Sequence, residues 1–125
     1  MSYLALVTSR FEEAAEFYGS SLGFPVLEQW DREHGRGRRF DIGGGVRLEL
    51  LDNAREHSPL KVHEPGERFQ LVVEVDDIHA ARTRLRISTP EPSHVSWGAI
   101  LFQLRDPDGI PVTFLQWDKH EGAEV

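Results

Sequence analysis

The chain has 125 residues, of which 39% are hydrophobic and 28% charged, the length and balance of one ordinary globular domain with a real core. It contains no cysteine, which excludes disulfides, thiolate metal sites and cysteine nucleophiles. A formal net charge of −7 disfavours nucleic-acid phosphates and anionic lipid and weakly favours cationic partners, with plain solubility as the blander explanation.

The opening MSYLALVTSR lacks a basic start, a long apolar stretch and a small-residue cleavage site. It predicts no signal peptide, and cytoplasmic residence is the expectation. No apolar run approaches membrane-spanning length. The first strand is predicted at about 3–8. An amphipathic helix follows at about 10–22, with Phe11, Ala14, Ala15, Tyr18 and Leu22 at helical spacing. Glu12, Glu13 and Glu16 lie early in it, where the helix dipole favours anions, and Gly23 stops it. Strands are expected at about 24–30, 36–42 and 45–51, the last two joined by the glycine-rich turn of RRFDIGGGVRLELL. The segment NAREHSPLKVHEPGER is polar, contains two prolines and lacks periodicity, so 53–68 reads as a linker. A strand at 69–75 leads into a helix at about 77–86 with Ile78, Ala81 and Leu85 on one face and Asp76 or Asp77 as its cap. Strands at about 94–97, 99–105 and 111–117 complete the chain.

The two halves repeat one pattern. YLALVTSRFEEAAEFY and QLVVEVDDIHAARTRL both read as strand, turn and helix, so that Phe11 matches Ile78 and Tyr3 matches Gln70. RRFDIGGGVRLELL and FQLRDPDGIPVTFL both read as strand, turn and strand, so that Glu49 matches Thr113. Repeats fix architecture: two βαβββ modules, about 1–52 and 69–118, in one α+β domain with a short tail, 119–125. Alternation places Leu4, Leu6, Leu48, Leu50, Leu71, Val73, Val112 and Phe114 beneath the helices. The opposite face receives Tyr3, Glu49, Gln70 and Thr113, with Arg47, Glu74 and Trp117 near them. It is too polar and mixed for a second core and suits a curved sheet open to a ligand.

Other constellations have plainer readings. His34, His57, His63, His79, His94 and His120 show no ligand spacing and read as solvated, His79 on the exposed side of its helix; His57 and His63 are candidates for a lid. DIGGG and DPDGI read as hairpin turns needing positive φ, because strands follow where a phosphate cradle needs a helix. HGRGRRF reads as a charged strand edge with an anion patch as the alternative, and one of Arg36, Arg38 and Arg39 is expected to pair with Glu28 or Asp31. Trp30 and Trp117 read either as packing or as stacking walls for a flat ligand, and Trp97 as structural. No Ser-His-Asp order is readable. Glu49 and Glu74 are candidates for a carboxylate pair across the cup.

EFYGSSLGF after the first helix, VEVDDIHAARTRL opening the second half and WGAILFQLRDPDGIPVTFLQW at the end resemble the vicinal oxygen chelate superfamily of glyoxalases, extradiol dioxygenases and bleomycin-resistance proteins. The resemblance covers about 3–117. It implies two βαβββ modules forming a cupped mixed β-sheet flanked by helices, around one site, commonly in a homodimer. Its metal enzymes hold their metal with histidine, glutamine or glutamate at positions that correspond here to Tyr3, Glu49, Gln70 and Thr113. Of these only Glu49 is a strong ligand, since a threonine hydroxyl and a neutral phenol bind divalent metals poorly.

The expected function is therefore metal-independent binding and sequestration of a small molecule, drug-like and aromatic or cationic, in the manner of the metal-free bleomycin-resistance members. Tyr3, Trp30 and Trp117 would pack on the ligand, Glu49 and Glu74 would meet its positive or donor groups, and Gln70 and Thr113 would hydrogen-bond to it. No cofactor, metal ligand, nucleic acid or membrane partner is expected. The alternative is a glyoxalase- or dioxygenase-like enzyme with a weak metal and Glu49 as base.

Overall fold

The structure, a computed structural model, describes residues 2–56 and 69–118. Each half folds as predicted. Strand β1 (Leu4–Thr8) leads to helix α1 (Phe11–Glu16), which runs on as a π-helical turn (Phe17–Ser21). Strands β2 (Val26–Arg32), β3 (Gly35–Gly43) and β4 (Val46–Asp52) follow, then a 3₁₀ turn (Asn53–Arg55). The second half gives β5 (Leu71–Glu74), α2 (Ile78–Arg84), β6 (Ser93–Val95), β7 (Ala99–Arg105) and β8 (Pro111–Trp117). The predicted linker and tail lie for the most part outside the described residues, as do His57, His63 and His120.

Both modules have the same strand order, β1-β4-β3-β2 and β5-β8-β7-β6. In each, the first strand runs parallel to the last and the other pairings are antiparallel. The expected α+β architecture of two βαβββ modules is present, each module contributing a four-stranded mixed sheet flanked by its helix. The first strand of each module is an edge, and among the described residues no ladder joins the halves.

One hydrophobic core lies between the modules. Phe40, Leu48 and Leu50 from the first sheet and Leu71, Val112 and Phe114 from the second bury together with Phe11, Tyr18 and Ile78. Each such side chain contributes on the order of 1.5–3 kcal/mol by leaving water. Leu4, expected beneath the helix, is 42% exposed, because it opens an edge strand where the helix no longer covers it. Leu6 is only partly buried against the core. His79 is exposed, as expected.

One local feature fixes a helix within its module, and another ties the halves together. Asp77 caps α2, its carboxylate accepting from the backbone N–H groups of His79 and Ala80 at 3.1 Å each. The DPDG turn is anchored to the other module: buried Tyr18 donates its hydroxyl to Asp106 at 2.7 Å, and Thr8 donates to Asp108 at 2.5 Å. Asp106 also accepts from the N–H groups of Asp108 and Ile110. Gly109 turns at φ 85°, and Gly43, Gly44 and Gly45 are likewise positive, the conformations that the turn reading required.

The basic segment needs a correction. β3 pairs with β2 on one side and β4 on the other, so its arginines blunt no edge. Alternation sends Arg36 and Arg38 to the helix side, where both guanidinium groups lie near the Phe11 ring at 4.5 and 6.0 Å. Arg36 pairs with Glu12 and Asp52. Arg39 points to the opposite, cup-facing side.

Candidate functional site

Strand register builds the first half of the site. Glu28, Arg39 and Glu49 are neighbours across β2, β3 and β4, so their side chains share the cup-facing side. The Arg39 guanidinium donates to Glu49 at 2.6 Å and to Glu28. This is the Glu28 pairing expected of the basic segment. Its carbon lies 4.7 Å from the Tyr3 ring centre and 5.8 Å from that of Trp30, within the range of cation–π attraction. Trp30 lies over Gly37, its cross-strand partner. The hydrogen bond to Glu49 raises the Arg39 pKa, against desolvation, and the charges of Glu28 and Glu49 add to the rise. Glu49 is only 6% exposed and faces a cation that cannot lose its proton.

The second half repeats this arrangement with neutral groups. Gln103, Thr113 and Val72 are neighbours across β7, β8 and β5. Thr113, 5% exposed, donates its hydroxyl to the Gln70 side-chain oxygen at 2.7 Å and accepts from the Gln103 amide at 3.0 Å. Thr113 thus stands where Glu49 stands, Gln103 where Arg39 stands, and Gln70 where Tyr3 stands. At the open end of this face Trp117 meets Trp97 edge-on, ring centres 5.5 Å apart. Glu74 lies on the same face beside Leu115, exposed and with no ion-pair partner among the described residues.

The structure therefore gathers the singled-out residues into two sets. Tyr3, Trp30 and Glu49 stand together on the first sheet; Gln70, Glu74, Thr113 and Trp117 share a face of the second. Arg39 was read in the sequence only as part of the basic segment, and Gln103 was not singled out. For Gln103 a signal existed. Counting back from the DPDG turn pairs residues 103 and 113 directly. For Arg39 the register shift between Asp41 and Gly43 hides the pairing.

The donor set suits a divalent metal poorly. Glu49 already serves Arg39, the Thr113 hydroxyl is spent between two glutamines, and the Gln70 oxygen already accepts from Thr113. A phenol completes the four, where divalent ions want carboxylate or imidazole. Among the described residues no cluster of three histidine, aspartate or glutamate side chains is placed to hold a metal. No helix among them is long and apolar enough to cross a membrane.

The family model for the glyoxalase/bleomycin resistance protein/dioxygenase superfamily matches residues 1–114. The chain belongs to this superfamily. Its repeated modules and their shared strand order are the superfamily's module pattern. Among solved structures, SMU.1112c is similar at a TM-score of 0.69 and 26% identity, over 92% of this chain and 96% of that one. A superfamily protein from Nocardioides is similar at 0.68 and 22% identity, over 99% and 87%. TnmS3, an antibiotic binding protein from Streptomyces sp. CB03234, is similar at 0.61 and 25% identity, over 94% and 98%. No curated protein matches the chain in sequence.

Proposed function

We propose that this superfamily member binds and sequesters a small, drug-like molecule without a metal. The observation that carries the reading is the commitment of Glu49 to Arg39. A carboxylate held in a charge-assisted hydrogen bond is a poor base and a poor ligand, yet a good fixed wall. The Thr113–Gln70–Gln103 chain is likewise settled, and it offers its outer lone pairs and amide hydrogens to a guest. Rings at Tyr3, Trp30 and Trp117 supply the apolar contact that a ligand pocket requires. The similarity to TnmS3, an antibiotic binding protein, supports the same reading.

The open geometry favours a homodimer. Each half-cup is shallow and ends at an edge strand, with Tyr3, Leu4, Phe69 and Val72 exposed along those edges. Setting the first half of one chain against the second half of another would close a single cup and cover that apolar strip. Light scattering that reads one chain at working concentrations would remove this part of the proposal.

The function is tested by a thermal-shift screen of chelator-treated protein against divalent metals, and against aromatic and cationic antibiotics with some oxygenated metabolites. A ligand at a hundred times its Kd stabilises by about 2.7 kcal/mol. For a domain of this size that is a shift of several degrees. Stabilisation by an organic compound, undiminished by chelator, is the expected result. Stabilisation by metals alone would overturn it in favour of an enzyme.

A further inference from the structure

The two half-cups differ in what they still have to offer. In the first, a planar cation is already bound. The Arg39 guanidinium lies between the Tyr3 and Trp30 rings, with Glu28 and Glu49 answering its charge. Carboxylates beside aromatic faces form a receptor for a flat cation, and here the protein fills that receptor with its own side chain.

The second half has the same kinds of groups and, among the described residues, no resident cation. The position of Arg39 is taken by neutral Gln103, whose amide is spent on Thr113. Trp97 and Trp117 are 56% and 49% exposed despite their mutual contact, so their outer ring surfaces are free. Glu74 stands on β5 beside Leu115 of β8. Trp117 lies two residues farther along β8 on the same face. Glu74 also borders a cavity of about 280 Å³ walled by Ile42, Val46, Val72, Val73 and the glycines Gly43 and Gly44, which the two tryptophans do not line.

Resting on the binding function above, we propose that the second half-cup selects planar organic cations, which stack on the Trp97–Trp117 pair while Glu74 answers their charge. The first half-cup contributes shape and a fixed polar wall, its place for a flat cation already taken by Arg39.

The test uses proflavine, a flat cation, and acridone, a neutral tricycle of similar shape, titrated by calorimetry into the full chain. Proflavine should bind more tightly than acridone. Glu74→Gln should weaken proflavine about tenfold, the scale of one charge-assisted contact, and leave acridone unchanged. Trp117→Ala should weaken both. Glu33→Gln, which removes one remote exposed carboxylate, controls for general attraction to an acidic surface and should change neither. Equal binding of the two compounds, or equal losses from Glu74→Gln and Glu33→Gln, would overturn the proposal. If aromatic compounds stabilise the protein in the screen but show no preference for cations, selectivity fails while sequestration stands. If no organic compound stabilises it, sequestration itself fails.

Discussion

At Gly37 the absence of a side chain decides where an aromatic ring can lie. The Trp30 indole rests directly on this residue. A methyl group there would meet the Leu50 carbonyl oxygen at 2.8 Å and the indole more closely still. Neither contact is tolerable, and the carbonyl belongs to a paired strand that cannot yield. Gly37→Ala should therefore tilt Trp30 off β3 and strain the β3–β4 pairing, at a cost of about 1–3 kcal/mol. Denaturant unfolding measures the cost, and red-shifted tryptophan emission reports the displaced ring. A variant with unchanged emission and wild-type stability would show that the indole is not held this way. Because Trp30 also flanks Arg39, the same substitution should loosen the aromatic side of the first half-cup. Nothing in HGRGRRF marks its second glycine as a ring support. That role exists only once the β2–β3 register is known.

Among the elements, strands were far more legible than their contacts. Alternation and turn glycines located all eight strands to within two residues or so, since period 2 and positive-φ turns are local properties of the chain. The repeat was legible for the same reason, and with it the equivalence of Glu49 with Thr113. What lay beyond sequence was the lateral order of charges. Whether Glu49 faces a cation depends on the register across a three-glycine turn, and one added residue there would present a different partner. The π-helical turn at Phe17–Ser21 belongs to this class. It is sealed by the Leu22 N–H reaching the Phe17 carbonyl at 2.9 Å, and it carries Tyr18 into the interior. Tyr18→Phe removes the hydroxyl and leaves the buried Asp106 carboxylate one donor short. The expected loss is about 1.5–3 kcal/mol, the range for hydrogen bonds to charged groups, read by urea unfolding. A loss below the error of the method would mean that water replaces the hydroxyl.

For the molecule as a whole, the Asp106 anchor gives a pH dependence of defined sign. Burial raises the Asp106 pKa above its ordinary 3.8, although the hydrogen bonds from Tyr18 and from the Ile110 and Asp108 N–H groups pull it back. In the unfolded chain the group titrates at the ordinary value. The contribution from this group is thus fully present below 3.8 and declines as pH rises through the higher folded value, because ionisation there favours the unfolded chain. Asp106→Asn removes the titration. The stability of wild type minus that of Asp106→Asn should fall as pH rises from the ordinary 3.8 through the higher folded value and then level off. A flat or rising difference would contradict the sign. Burial pushes the Tyr18 hydroxyl far above its ordinary range, so it stays a donor throughout this window. The distribution of the three tryptophans has a consequence for observing these transitions. Trp30 belongs to the first module, while Trp97 and Trp117 stand together in the second with their planes 64° apart. Two indoles so close and so inclined couple their excited states and produce paired bands of opposite sign in circular dichroism. A lone indole produces none, so the couplet reports on the second module by itself. Followed in time beside the total fluorescence, it would reveal whether the two halves of this repeated chain fold together or in turn.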